Sequence, residues 1–223
     1  MNVLGIDTAT AASAVCVQRG DGAAFEVEPS AERLTERPAH AAELMPAVAR
    51  CMDDAALGWE ELDQIAVGVG PGMFTGLRIG VATARGLASA TGAELRPVSS
   101  LAALADPQPS SPILALIDAR RGEVFAALYD DSQPIWEPFV AAPEAVAQRL
   151  GDEGISPLAV GDGAVRFRDA LEAAGAAVPE AGSRSHVVRG LSICRLAAAA
   201  APAPTGAVLP HYIRLPDAKP RTA

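Results

Sequence analysis

One stretch constrains this chain more than any other. Ile65-Ala66-Val67-Gly68-Val69 is a continuous, largely β-branched run that reads as a buried strand. It enters Gly70-Pro71-Gly72-Met73-Phe74-Thr75-Gly76 directly, and a helical pattern follows to about Thr91, where Gly92 stops it. Strand, glycine turn and helix in immediate succession make an α/β unit.

The residues before this unit read as a hairpin. Val3 to Ile6 and Ala14 to Gln18 are short apolar runs, and Ala24 to Val27 follows the turn chemistry of Arg19-Gly20-Asp21-Gly22 as a third strand. Residues 38–56 carry Ala41, Leu44, Met45, Val48 and Met52 at helical spacing, with Gly58 closing the helix and Pro46 expected to kink or restart it. Asp106 to Pro112 is rich in proline and is the best boundary in the chain. Beyond it the opening recurs. Ile113 to Asp118 echoes Val3 to Asp7, Val124 to Tyr129 echoes the return strand, and Leu158 to Gly163 echoes the strand that runs into glycines. Two copies in the same order suggest a duplicated α/β fold, beside the plainer reading that any α/β chain contains apolar runs ending in Asp or Gly.

Composition bounds the function. With 50% hydrophobic and 20% charged residues among 223, a packed core is expected rather than disorder. Apolar runs such as Leu196 to Ala201 fall far short of the ~18–20 residues a membrane span needs. The N-terminus has no basic flank, so no signal peptide is read, and no membrane association is expected. Cys16, Cys51 and Cys194 share no metal-type spacing, and their odd number argues against a disulfide framework, so a cytoplasmic setting is expected. The formal net charge is -9, the arginines are scattered and Lys219 is the lone lysine. Unaided nucleic-acid binding is disfavoured, and 4% aromatics leave little for base stacking.

Few residues could carry chemistry. The Gly70–Gly76 turn could present backbone N–H groups to an anion at a helix N-terminus. The Walker pattern fails, because Leu77 and Arg78 follow Gly76, and the dinucleotide pattern fails at Thr75. Asp7 with Thr8 and Thr10 could hold hydrated magnesium beside a phosphate, or could form an Asx turn. Asp7, Thr8, Gly70, Gly72, Thr75 and Gly76 are therefore the candidate nucleotide- or anion-binding turn, with close packing as the other reading. Asp118 ends the second copy, but Arg120, Arg121 and Glu123 after it would crowd a nucleotide. His40, His186 and His211 lie far apart without Cys/His clustering, so no metal site is expected, and no nucleophile elbow occurs.

The helix after the glycine turn has a stripe of small residues, Gly76, Gly80, Ala84 and Ala88, while Leu77, Ile79, Val81 and Leu87 cover most of the rest. A surface helix normally shows one apolar stripe a little over ~100° wide. Either both faces are internal to a layered fold, or one face docks a second helix from another subunit.

Ile6-Asp7-Thr8-Ala9-Thr10, the run Gly70 to Gly80 and the run Ile117 to Phe125 together resemble the TsaB family, the dimerisation subunits of bacterial tRNA threonylcarbamoyladenosine synthesis. The similarity extends from Met1 to about Arg214, with one departure: Met73 stands where the family usually has serine. The resemblance implies an actin-like (sugar-kinase and heat-shock-chaperone ATPase) α/β fold of two duplicated lobes, residues 1–105 and 106–205, with a tail at 206–223. It implies a non-catalytic subunit that binds and activates TsaD, the catalytic paralogue, whose histidine metal motif is missing here. The partner-binding residues it implies, on helices 38–56 and 76–91, are His40, Leu44, Met45, Val48, Leu77, Gly80, Val81, Ala84, Leu87 and Ala88. It further implies a homodimer in isolation, a TsaE-type ATPase in the assembly, no intrinsic cofactor but ATP or ADP at the subunit junction, and tRNA reached only through the complex. The competing reading is an actin-like phosphotransferase or ATPase acting on its own.

Overall fold

The computed structural model describes residues 1–106 and 112–214. Most of the proline-rich boundary, residues 107–111, and the end of the tail, residues 215–223, lie outside the described residues. Two sheets organise the rest. The first contains β1 (Val3–Asp7), β2 (Ala14–Gln18), β3 (Ala24–Val27), β4 (Gln64–Gly68) and β5 (Glu94–Val98), in the order β3-β2-β1-β4-β5. The second contains β6 (Ile113–Arg120), β7 (Glu123–Asp130), β8 (Gln133–Ala141) and β9 (Leu158–Val160), in the order β8-β7-β6-β9. In each, the central strand pairs antiparallel with its hairpin partner on one side and parallel with a crossover strand on the other. The repeat read in the sequence is thus a repeat of topology.

The helices are α1 (His40–Asp54), α2 (Phe74–Thr91), α3 (Ser100–Ala105), α4 (Pro143–Glu153), α5 (Asp162–Arg166), α6 (Arg168–Ala173) and α7 (Gly190–Ala197). Strand alternation sorts them into layers. Leu4 and Ile6 point to one face of the first sheet, where Leu44 and Val48 of α1 and Val81 and Ala84 of α2 cover them. Ala115 and Ile117 point inward from the second sheet, onto α3 and α7, which fill the space between the sheets with Leu101, Leu104, Ile193 and Ala197. Leu114 and Leu116 point outward to α4, with Val146 and Leu150.

The sequence reading is revised in places. The helix runs on through Pro46, which sits exposed within α1 while Leu44 and Val48 on either side are buried. Their packing outweighs the ~3 kcal/mol that an interior proline costs. β8 adds a strand that the sequence reading leaves out, although it carries Pro134 and Pro138. It lies at the sheet edge, where a missing N–H leaves no central ladder bond broken. The C-terminal segment returns to the first sheet, and the start of the expected tail stays on it: Ala203 N–H donates to Leu95 O at 2.9 Å, and His211 N–H to Val69 O at 2.7 Å.

Candidate functional site

The end of β1 is fully buried, and its polar groups are spent on one another. Asp7 Oδ1 accepts the Ala9 N–H at 2.8 Å, the Asx turn that was one of its two readings. Its Oδ2 accepts the Ser100 hydroxyl at 2.5 Å, and Ser100 Oγ in turn accepts the Gly70 N–H at 3.1 Å. Burial pushes the Asp7 carboxyl up to about 6, against the downward pull of those hydrogen bonds. Thr8 donates its hydroxyl to Gly76 O at 2.8 Å, and the Met73 N–H goes to Ala9 O at 2.7 Å.

Glycines make this closeness possible. A Cβ on Gly68 would lie 1.7 Å from Asp7 Oδ2, one on Gly72 2.5 Å from Ala9 O, one on Gly76 2.1 Å from Thr8 O and one on Gly80 2.2 Å from Thr8 Oγ1. The turn read as an anion cradle is in this structure a packing joint, with the N–H groups of Gly70 and Met73 already engaged. Of its candidate residues, Thr75 alone faces outward, while Asp7, Thr8, Gly70 and Gly76 are buried and Gly72 is half-buried.

The same joint takes up most of the implied docking residues. Gly80, Leu77, Val81, Ala84 and Ala88 all face inward, as do His40, Leu44 and Val48 on α1. Leu87 is half-buried, and Met45, 42% exposed, is the one of the ten that stands in solvent. His40 Nδ1 bonds Ser13 Oγ at 2.8 Å, its Nε2 is buried without a partner, and burial holds its pKa below the usual range.

What α2 offers outward is the neighbouring row: Thr75, Ile79, Ala82, Gly86 and Ala90, where Ile79 alone is half-buried. A Cβ on Gly86 would meet nothing within 4 Å. On α1, which packs beside α2, Ala41, Met45 and Ala49 form a matching exposed row. At the start of α2, Phe74 is 36% exposed, with the Arg78 guanidinium 3.9 Å from its ring centre and the Tyr212 ring tilted against it at 5.0 Å. Arg78 Nε also donates to the Tyr212 hydroxyl at 3.1 Å. Among the described residues no cluster of three or more His, Cys, Asp or Glu is placed to hold a metal, and no helix is long and apolar enough to cross a membrane.

A family model described as TsaD, tRNA N6-adenosine threonylcarbamoyltransferase, matches residues 34–149. The tRNA threonylcarbamoyladenosine biosynthesis protein TsaB of Escherichia coli is 35% identical over 162 residues, 67% of this chain and 66% of that protein. The solved structure of YeaZ from Pseudomonas aeruginosa superposes with a TM-score of 0.77 at 29% identity, covering 95% of this chain and 99% of that one. The chain belongs to the TsaB branch of the TsaD family. An uncharacterised Mycobacterium leprae protein is 36% identical over 99% of this chain, which spans 57% of that relative's length. The mixed two-sheet architecture is the actin-like fold expected of a TsaB-family chain.

Sequence reasoning missed the partners that this TsaB-family chain brings from afar. Ser100 stands 93 residues from Asp7 and Tyr212 134 from Arg78, and neither has a motif around it. Asp162 had a signal, lying between the glycines of the second strand–glycine run, and its Oδ1 accepts the Asp118 N–H at 3.0 Å.

Proposed function

We propose that this chain is a non-catalytic subunit that docks onto and activates a TsaD-type transferase, for N6-threonylcarbamoyl modification of tRNA adenosine next to the anticodon. The observation that carries the reading is the pair of exposed small-residue rows, Ala41–Met45–Ala49 on α1 and Thr75–Ile79–Ala82–Gly86–Ala90 on α2. Small side chains let a partner's helices approach closely, and Met45 and Phe74 supply apolar anchors beside Arg78. The TsaB relatives are named for tRNA threonylcarbamoyladenosine biosynthesis and the matching family model for the TsaD transferase, which makes a TsaD-type protein the partner class in this reading. Activation follows if the partner's competent arrangement binds this face better than its other arrangements do. In this reading the same face closes a homodimer when no partner is present, a TsaE-type ATPase joins the assembly, and tRNA is met through the complex in the cytoplasm. The stand-alone ATPase reading draws no support from the strand-end turn, whose donors at Gly70 and Met73 are engaged.

Mixing the purified chain with the TsaD-type protein of the same organism, under size exclusion with light scattering, tests this directly. A heterodimer is expected to replace the homodimer. Gly86→Arg and Ala49→Arg should weaken association at least about thirtyfold, the effect of losing ~2 kcal/mol, with unchanged circular dichroism. Two peaks that never merge, even with ATP and magnesium, would overturn the reading. So would undiminished binding by both variants.

A further inference from the structure

A cavity of about 830 Å³ opens between the segment leading into α1 and the second lobe. Arg37 lines it from the first lobe, and Arg120 and Arg166 from the second. Asp118 holds the latter two side by side. Its Oδ1 accepts the Arg120 backbone N–H at 2.8 Å, and its Oδ2 accepts Arg166 Nη1 at 2.7 Å and Arg120 Nη1 at 3.0 Å.

The Asp118 side chain is 5% exposed and accepts three hydrogen bonds, whereas the two arginine side chains are about half exposed. Each spends one of its five donors on Asp118. Arg120 gives a second to Met73 Sδ at 3.4 Å, a weak acceptor. Among the described residues, Nε and Nη2 of Arg166 and the whole Arg37 guanidinium have no protein acceptor. One carboxylate between two guanidinium groups leaves that trio with a net positive charge, and Arg166 keeps donors to spare. The acidic groups nearby are partly engaged: Asp162 Oδ1 takes the Asp118 N–H, Glu36 is held by Arg33, and Glu32 lies at the rim.

We propose that this cavity binds a small oxyanion, a phosphate or carboxylate group, between Arg37 and the Arg120–Arg166 pair. The planar fork of arginine matches such groups bidentately, and a shared anion completes an alternation of charge that Asp118 begins. Bound there, the anion ties the entry to α1 to the second lobe, and it stabilises the folded chain by mass action. The site does not depend on the partner reading, so either can fail alone.

The test is calorimetric titration and thermal melting of the full chain with inorganic phosphate, and separately with citrate, against sodium chloride at matched ionic strength. A saturable rise in melting temperature beyond the chloride control is expected in at least one arm. Phosphate alone identifies a phosphoryl ligand, and citrate alone a carboxylate one. Arg166→Gln and Arg37→Gln should each weaken binding about tenfold or more, as loss of a charged hydrogen bond does, with Arg19→Gln unchanged. If Arg166→Gln disturbs the fold, Arg37→Gln carries the test, since its side chain holds no other group. Shifts that chloride reproduces, or variants that bind like the parent, would overturn the site.

Discussion

The two central strands end in the same way and are put to different use. Asp7 closes β1 and Asp118 closes the regular part of β6, and each accepts the N–H two residues on at 2.8 Å. The neighbouring parallel strand makes the difference. β4 pairs with β1 as far as Ile6–Val67, one residue short of Asp7, while β9 pairs with β6 only to Ala115–Val160, three short of Asp118. In the first lobe the longer strand and its glycines wall Asp7 in, leaving a serine hydroxyl as its side-chain partner. In the second, the shorter strand lets α5 begin at once, and Asp162 and Arg166 of that helix reach Asp118 beside an open cavity. Duplication preserves a backbone joint; the length of one strand decides whether its carboxylate becomes packing or part of a charged cleft.

The largest effect should come from overfilling the closed joint. Gly80→Leu drives a side chain into Thr8 Oγ1, and overpacking on this scale costs ~3 kcal/mol or more. Little folded protein is expected by circular dichroism. Gly86→Leu, on the open row, should melt close to the parent. Equal stability of the two would show that the inward and outward rows are wrongly assigned.

Next is the pH dependence of the closed carboxyl. Asp7 is raised from 3.8 to about 6 in the folded chain, so between those values the folded state binds more protons than the unfolded one. Its contribution to stability therefore falls as pH rises from about 4 to about 6, by up to ~3 kcal/mol. Asp162, also raised to about 6 by burial, acts in the same direction. His40 and His186, lowered from 6.5 by burial, act oppositely, since charging them costs stability as pH falls below the unfolded value. Comparing the parent with Asp7→Asn isolates Asp7. The two should have similar stability near pH 4, with the variant more stable at pH 7. A difference that does not change with pH would refute a desolvated Asp7.

Much of the closed lobe was legible in the sequence, because it is built from local signals: a hairpin, a β-branched strand, a glycine turn and a helix. The duplicated strand ends were legible too, since Asp7 and Asp118 each finish an apolar run. The outward face of α2 was not. Gly80-Ala84-Ala88 and Ala82-Gly86-Ala90 are equally small rows on one helix, and periodicity cannot say which meets the sheet. Thr8 Oγ1 makes that choice, from 72 residues away in the chain. The open cleft was hidden for a related reason. Arg120 beside Asp118 reads as crowding until Arg166, from α5, joins it on the same oxygen.

The finest test converts part of the closed joint into its open counterpart. Ala119 follows Asp118 where Thr8 follows Asp7, so Thr8→Ala gives the first copy the second copy's residue. The lost hydroxyl bond to Gly76 O should cost ~1 kcal/mol. Gly80→Ala alone should also destabilise, because its Cβ would lie 2.2 Å from that hydroxyl, although alanine favours the helix by ~1 kcal/mol over glycine. With the hydroxyl gone, the nearest remaining Thr8 atom, its Cβ, is 3.4 Å from the new methyl, an ordinary contact. Alanine then keeps its helical advantage and loses its clash. The double variant should therefore be more stable than either single one, with a coupling of ~1–3 kcal/mol in a double-mutant cycle. Additive losses would mean that Gly80 is required by something other than the Thr8 hydroxyl.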